Sequence, residues 1–236
     1  MEVSSISNNW LHIWQFDFNP SMCDVDATIL SNEEKLRSRK FIHQLDKDRY
    51  QSAHYFLRKV LSRYLTISPE KIAFKKNSSG KPYLKKEQTK NLYFNISYRN
   101  RYVLIGISNI SNIGVDIEEH RNIDDLPSFC KNFFSEDETH SIFISQNNAM
   151  QRSVAFSFWA MKEAFIKASG IGFSQDLTNH NLNEFLSTTD SCFVNGHIGS
   201  WIIQLVEVDK NYKAAFAANA PQINLHFYNS TQLNEL

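Results

Sequence analysis

Two helical segments, each bordered by short strand patterns, constrain the fold of this chain more than any other feature. The first spans Ser31–Leu65, opens on a capping residue followed by acids, and has a predicted break near Leu45. The second is a helix-rich stretch, Leu126–Ser169. Strands are expected before, between and after these segments, at residues 10–18, 72–74, 92–96, 102–108, 113–118, 201–208, 212–218 and 223–228.

This order of elements divides the chain into two parts of similar length. The polar loop Asn109–Asn112 contains no proline, which favours a tight, packed connection, and we place the division after residue 111. We expect an α+β fold in which residues 1–111 and 112–236 are similar halves, each a small antiparallel sheet packed with a long helix. No literal sequence repeat accompanies the division.

The charge balance limits the classes of ligand. The chain has 25 Lys and Arg residues and 25 Asp and Glu residues, so its formal net charge is zero. Without a net positive field, any anionic ligand must be held by a local cluster of basic side chains. The first thirty residues show no secretory signal, and no apolar run approaches the roughly 20 residues that cross a bilayer. We expect a cytoplasmic monomer that binds neither nucleic acid nor membrane.

Two acids lie on one face of a predicted strand. Asp116 and Glu118 are two residues apart, and the alternate positions are the apolar Ile113, Val115 and Ile117. Because side chains alternate across a strand, both carboxylates leave the same face. An isolated pair of this kind is most often a solvent-facing strand edge. Here the apolar face indicates packing on a core, so the acids share a defined surface and form half of a site for a hard cation.

A second charged group lies in the helical segment Trp159–Lys167. Glu163 and Lys167 are four residues apart and therefore share a face. Such a pair is usually a surface ion pair that contributes about 0.3 kcal/mol. The alternative uses both residues: Glu163 supplies a third carboxylate to a cation, and Lys167 reaches a phosphate that the cation also binds. Mg²⁺ prefers this combination of carboxylates, waters and substrate phosphates.

Other basic residues are less informative by themselves. Gly80–Pro82 follows a polar turn, where the glycine permits close backbone approach and Lys81 adds a point charge, but a plain turn explains it equally well. A series of basic residues accompanies the first helical segment and is typical of a solvated face: Arg37, Arg39, Lys40, Arg49 and Arg58.

Five short motifs occur in order along the chain: Gly80–Pro82, Phe94–Ser97, Gly114–Glu118, Phe133–Ser135 and Trp159–Lys167. Together they resemble the surfactin-synthetase-activating type of phosphopantetheinyl transferase, over roughly residues 31–172. The last motif is highly specific. The resemblance implies an α+β pseudodimer with coenzyme A bound between its halves. It also implies transfer of phosphopantetheine from coenzyme A to a serine of an acyl or peptidyl carrier protein, with release of adenosine 3',5'-bisphosphate.

The resemblance implies roles for individual residues. It makes magnesium the cofactor, with Asp116, Glu118 and Glu163 as its ligands. Lys167 corresponds to a lysine that contacts phosphate, and the base that takes the serine proton is either Glu138 or Glu163. The expected catalytic set is therefore Glu163, Lys167 and Glu138. The nucleotide part of coenzyme A, including its 3'-phosphate, would be held by Arg37, Arg49, Lys81 and Ser97.

One position departs from the family pattern. Tyr98 stands where the family usually has His, next to Ser97, so an imidazolium beside phosphate is lost. A phenol still donates one hydrogen bond, and Arg99 or Arg101 could restore the charge. Two other functions stay open. The first is a coenzyme A binding protein without transfer activity, which Tyr98 keeps possible; the second is a metal-dependent phosphodiesterase, against which the neutral charge argues.

Overall fold

The computed structural model describes residues 8–19, 25–89, 91–170, 177–183, 192–196 and 199–234, with the backbone alone for 192–196, 199, 200 and 234. The helices are α1 (Asn32–Ser38), α2 (Gln44–Leu65), α3 (Leu126–Phe133), α4 (Glu136–Phe143) and α5 (Asn148–Ser169). The strands are β1 (Trp10–Asp17), β2 (Phe74–Lys76), β3 (Pro82–Leu84), β4 (Tyr93–Arg99), β5 (Tyr102–Ser108), β6 (Ile113–Glu119), β7 (Cys192–Gly196), β8 (Gly199–Val206), β9 (Tyr212–Asn219) and β10 (Asn224–Asn229). None of the described helices is both long and apolar enough to cross a membrane.

Helix α1 starts where the sequence predicts. Ser31 Oγ accepts a hydrogen bond from the Glu34 N–H at 3.2 Å, and Glu34 Oε2 accepts one from the Ser31 N–H at 2.7 Å. This reciprocal capping satisfies two backbone donors that the helix itself leaves unpaired. The helical region is interrupted between Ser38, where α1 ends, and Gln44, where α2 begins, which confirms the expected break near Leu45.

The first sheet has the strand order β10-β1-β5-β4, and α2 packs on one of its faces. Both faces of β1 are buried. Leu11 and Ile13 belong to a core shared with the second sheet, whereas Trp14 and Phe16 belong to the core under α2. This double burial explains why the adjacent Ile13 and Trp14 are both apolar, a departure from simple alternation in a strand.

The C-terminal strand corrects the expected architecture. β10 pairs with β1 in parallel, so the first sheet is mixed rather than antiparallel, and residues of the C-terminal part complete the N-terminal sheet. Parallel neighbouring strands need a long connection, and here the chain between β1 and β10, which includes the whole second sheet, provides it. The α+β class is confirmed, whereas the equivalence of the two halves stays a prediction.

The second sheet is antiparallel in the order β6-β9-β8-β7, and α5 packs across β6 and β9. Strands β3 and β7 were missing from the sequence prediction. Small side chains line the contact between α5 and the second sheet, both on the helix and on β9, so the helix lies close to the sheet. They are Ala160, Ala164 and Ala168 on α5 and Ala215 and Ala217 on β9.

Candidate active site

Three elements meet where the two sheets join. Strand β4 lies beside β6, and the buried Asn95 Oδ1 accepts a hydrogen bond from the Val115 N–H at 2.9 Å. On its other side β6 lies directly against α5 because Gly114 has no side chain. A Cβ at Gly114 would collide with the carbonyl oxygen of Ala164 and lie 2.6 Å from the Ala168 nitrogen. We call this meeting point of β4, β6 and α5 the junction.

The junction brings together one residue from each element. Ser97 of β4 donates a hydrogen bond through its Oγ to Asp116 Oδ1 of β6 at 2.9 Å. Lys167 of α5 donates through Nζ to the same Asp116 oxygen at 2.5 Å and to Ser97 Oγ at 3.0 Å. Asp116 is only 3% exposed. A buried carboxylate is thus paired with an ammonium group that is itself partly open to solvent.

Glu118 and Glu163 extend this group; we call Asp116, Glu118 and Glu163 the acidic cluster. Glu118 Oε1 accepts a hydrogen bond from Trp159 Nε1 at 3.1 Å. Burial, followed by the charge of Asp116, raises the pKa of the Glu118 carboxyl. Burial and Asp116 likewise raise the pKa of Glu163 to about 7, although Lys167 opposes the shift. Three acids therefore share one poorly solvated place, where each disfavours ionisation of the others.

Two oxygens of the acidic cluster are free to accept further bonds. Asp116 Oδ2 and Glu118 Oε2 are buried without a hydrogen-bond partner. Buried carboxylate oxygens without partners are costly, and they are the ligands that Mg²⁺ prefers. Among the described residues, no three His, Cys, Asp or Glu side chains could hold a metal ion as they stand. The expected three-ligand set is therefore not preassembled: Asp116 and Glu118 offer ready oxygens, and Lys167 occupies the other oxygen of Asp116.

The opposite face of β4 carries a basic group. Tyr98 is electrostatically coupled to Arg37 and Arg49, and burial raises the pKa of its phenol. Arg49 donates to Asp46 Oδ1 at 2.6 Å and to the Asn100 carbonyl at 2.9 Å. Three of the residues predicted to hold the nucleotide thus lie together, but on the side of β4 away from the acidic cluster.

Lys81 joins the two parts of the chain. Its Nζ donates hydrogen bonds to the Ile113 carbonyl at 2.9 Å and to the Lys167 carbonyl at 2.5 Å. Burial lowers the pKa of the Lys81 ammonium group to about 8. The side chain therefore ties the start of β6 to the end of α5, a structural contact that the sequence did not predict, and two of its three N–H donors are already used.

Comparison with known proteins decides the family. Residues 112–217 match the model described as "4'-phosphopantetheinyl transferase superfamily", and residues 16–109 match the model "4'-phosphopantetheinyl transferase, N-terminal". The chain is 30% identical to 4'-phosphopantetheinyl transferase HetI of Nostoc sp. over 169 residues, which are 70% of each protein. The chain belongs to the 4'-phosphopantetheinyl transferase superfamily. It is similar to the transferases ffp and Sfp of Bacillus subtilis as well, at 30% and 29% identity over 82% of this chain and 84% of each relative.

These matches confirm the resemblance to the surfactin-synthetase-activating type, and they make the protein an enzyme of the phosphopantetheinyl transferase class. Transferases of the superfamily from other organisms match over similar lengths. The protein 4'-phosphopantetheinyl transferase psf-1 of Bacillus pumilus, for example, is 27% identical over 84% of this chain and 82% of its own length.

The structure does not bring Glu138 to the junction of this transferase. Glu138 is fully buried at the start of α4, where Oε2 accepts from the Ser135 N–H and lies 2.7 Å from Lys162 Nζ. Its Oε1 accepts from the Leu182 N–H at 2.8 Å. Both oxygens thus cap and anchor structure, and the role of Glu138 as a general base is not supported. The catalytic role of Glu138 came from the resemblance alone and stays a prediction, while its position at the third residue of α4 makes it part of a reciprocal helix cap.

Two residues of the site were missed as functional candidates. Trp159 orients Glu118 through its indole N–H, and Asn95 holds β6 beside β4. A signal existed for Asn95, because it lies two positions before Ser97 on the same strand face. Nothing in the sequence connects Trp159 with Glu118, which are 41 residues apart and meet only through packing of α5 on β6.

The raised pKa of Glu163 predicts a pH-dependent gain of stability in Glu163→Gln. Between pH 4.5 and about 7 the Glu163 carboxyl is deprotonated in the unfolded chain but still protonated in the folded chain, so the free energy of unfolding falls as pH rises. The full loss of stability caused by Glu163 is reached above pH 7. In metal-free protein, Glu163→Gln should therefore be more stable than wild type at pH 8, by on the order of 2 kcal/mol, and about equal near pH 4.5. Urea unfolding in a chelator at both pH values tests this.

The control is Glu87→Gln, at an exposed position, which should show no such gain in stability. An equal gain of Glu163→Gln at both pH values would contradict the electrostatic origin.

Proposed function

We propose that this enzyme transfers 4'-phosphopantetheine from coenzyme A to a serine of an acyl or peptidyl carrier protein, with Mg²⁺ as cofactor. The observation that carries the proposal is the junction itself. Asp116 and Glu118 each have a buried oxygen without a partner, and Asp116 also contacts Lys167 and Ser97, so acceptors for a cation lie with donors for a phosphate. Membership of the superfamily supplies the reaction class.

Mg²⁺ fits these residues in charge and in ligand chemistry. Asp116 and Glu118 would hold it through their unpaired oxygens, and Glu163 is the third carboxylate that we assign to it. The ion, when bound, would neutralise charge on the diphosphate of coenzyme A. Its binding would also relieve the repulsion that raises the pKa values of Glu118 and Glu163.

In the proposed reaction the serine oxygen attacks the β-phosphorus of coenzyme A. The bond from that phosphorus to the bridging oxygen breaks, and adenosine 3',5'-bisphosphate leaves. The ammonium group of Lys167 is placed to stabilise negative charge on the transferred phosphoryl group. Of the two expected bases only Glu163 belongs to the acidic cluster, so we assign it to take the serine proton, directly or through water.

The basic group on the other face of β4 suits the nucleotide. Arg37, Arg49 and Tyr98 offer two guanidinium groups and one phenol within mutual electrostatic reach, a suitable environment for the 3'-phosphate. We assign Lys81 and Ser97, which lie at the junction on the other side of β4, to the same ligand. We also propose that the two sheet-and-helix units are equivalent halves of a pseudodimer, because each contains a four-stranded sheet and a helix of 22 residues.

One experiment separates transfer from mere binding. Incubation of an apo carrier protein with this enzyme, coenzyme A and Mg²⁺ should add the mass of one phosphopantetheine group to the carrier, as measured by intact-protein mass spectrometry. A carrier protein in which the acceptor serine is replaced by alanine should show no increase in mass. Tight binding of coenzyme A without any mass gain on several carriers would favour the alternative of a binding protein.

The Tyr98 position predicts a change in donor affinity. Tyr98→His should tighten coenzyme A binding, and more at pH 6 than at pH 8, because a protonated imidazole adds a charged donor next to phosphate. We expect a gain of about fivefold at pH 6. Calorimetric titration at the two pH values measures it, with Tyr98→Phe as the control that removes the hydroxyl without adding charge. Unchanged or weaker binding at both pH values would place the 3'-phosphate elsewhere.

A further inference from the structure

Arg99 is a cation without a full set of partners at the acidic cluster. Its Nε is buried and makes no hydrogen bond. The nearest acidic atom is Glu118 Oε2 at 3.6 Å, which is itself one of the two unpaired oxygens. A donor and an acceptor of opposite charge thus lie just beyond hydrogen-bond distance. The Arg99 side chain is 35% exposed, so its guanidinium group borders solvent.

The two lysines at the junction are tied to protein groups, whereas the exposed Arg121 acts on Glu118 through its charge. Lys167 donates to Asp116 and Ser97, and Lys81 donates to two backbone carbonyls. Arg101, the second basic residue considered from sequence, points elsewhere and forms a two-oxygen ion pair with Asp17 at 2.5–2.9 Å. Arg99 differs from these three because its ion pair with Glu118, at 3.6 Å, is too long for a hydrogen bond.

The strand geometry places Arg99 on the acidic side of β4. Ser97 contacts Asp116, and Arg99, two residues on, lies next to Glu118, two residues beyond Asp116. Tyr98 lies between them in sequence and faces Arg37 and Arg49. Arg99 therefore does not replace the imidazole on the nucleotide side. It adds positive charge beside the residues that would bind the metal and the diphosphate.

We propose that Arg99 binds the diphosphate of coenzyme A and changes partner when the donor arrives. In the ligand-free protein it balances the charge of Glu118. Once a cation takes Glu118 Oε2, the guanidinium group is released to a phosphate oxygen, where its unpaired N–H groups form charge-assisted hydrogen bonds. The inference rests on the proposed function, since it requires a cation and an anionic donor at this place.

The exchange of partners predicts two effects of opposite sign in Arg99→Gln. Removing the positive charge should strengthen binding of Mg²⁺ to the donor-free protein by about threefold, because the cation no longer competes with Arg99 for Glu118. The same change should weaken binding of coenzyme A at saturating Mg²⁺ by about tenfold. Melting temperature against Mg²⁺ concentration measures the first effect, and calorimetric titration with coenzyme A measures the second. Arg99→Lys should keep the Mg²⁺ response of wild type and recover part of the coenzyme A affinity.

Arg101→Gln is the matched control, because its guanidinium group is held by Asp17, and both affinities should stay at wild-type values. A purely structural role for Arg99 would lower the melting temperature without a strengthened Mg²⁺ response, and that result would overturn the inference. Unchanged coenzyme A affinity in Arg99→Gln, with normal binding by wild type, would overturn it as well while leaving the proposed function intact. Failure of the wild-type protein to bind either Mg²⁺ or coenzyme A would instead reject the proposed function, and this inference with it.

Discussion

Asp116→Asn is expected to lower the rate of phosphopantetheine transfer at least about 100-fold while the protein stays folded. Asn keeps the shape of the side chain but removes the negative charge that attracts Lys167 at 2.5 Å and that would attract Mg²⁺. It also loses one of the two acceptors, because an amide nitrogen donates. The loss of the Lys167 ion pair and the relief of repulsion with Glu118 and Glu163 oppose each other, so we expect stability within about 1 kcal/mol of wild type. Carrier modification followed by mass spectrometry measures the rate.

The control for this variant is Asp124→Asn, the same substitution at an exposed position shortly after β6. It should transfer at the wild-type rate. A second readout separates metal binding from general damage: Mg²⁺ should strengthen coenzyme A binding by wild type and by Asp124→Asn, but not by Asp116→Asn. Near-normal transfer by Asp116→Asn would remove Asp116 from the metal set, and with it the central argument for the site.

The regular parts of this fold were predictable because local patterns determine them. Ser31 followed by acids gave the start of α1, turn signals bounded the short strand β5 at Tyr102–Ser108, and alternation of apolar residues gave β6 to within one residue. These signals lie within each segment and so survive in the structure, although β5 is buried on both faces. The same reasoning was less secure for β1, where adjacent Ile13 and Trp14 look irregular until two cores are seen to cover opposite faces.

Long-range pairing was not predictable in the same way. The strand pattern at residues 223–228 does not identify the strand that pairs with it, and the parallel pairing of β10 with β1 depends on how the two sheets stack. Lys81 and Glu138 show the same limit for side chains. Lys81 was expected to hold the nucleotide and Glu138 to take the serine proton, but the sequence did not show that the Lys81 ammonium group binds backbone carbonyls or that Glu138 pairs with Lys162 in the core. A sequence shows that a charge is present but not which distant group neutralises it.

The candidate site was partly predictable because its members lie on regular elements. Strand period placed Asp116 and Glu118 on one face, and helix period placed Glu163 with Lys167, before any contact between the two elements was known. What the sequence could not supply was the distance between strand and helix. That distance depends on the backbone contact at Gly114, which is why the glycine of this motif is as informative as its acids.

Gly114→Ala is expected to destabilise the protein by about 3 kcal/mol or more and to reduce transfer to background. The added methyl group would meet backbone atoms of α5, at Ala164 and Ala168, which no side-chain rotation can move. Strand β6 must therefore shift away from the helix, and Asp116 then leaves Lys167, whose hydrogen bond to it spans 2.5 Å. Urea unfolding gives the stability, and carrier modification gives the rate.

Two variants distinguish this backbone contact from ordinary crowding. Gly106→Ala places a methyl group 2.9 Å from Val115 Cγ1, a side-chain atom, so a cost of only about 1–2 kcal/mol and retained transfer are expected. The pair Gly114→Ala with Ala164→Gly should stay as defective as Gly114→Ala alone, because removing the Ala164 methyl group leaves the obstructing carbonyl in place. Rescue by Ala164→Gly would show that side-chain crowding, rather than the backbone approach, sets the distance between β6 and α5.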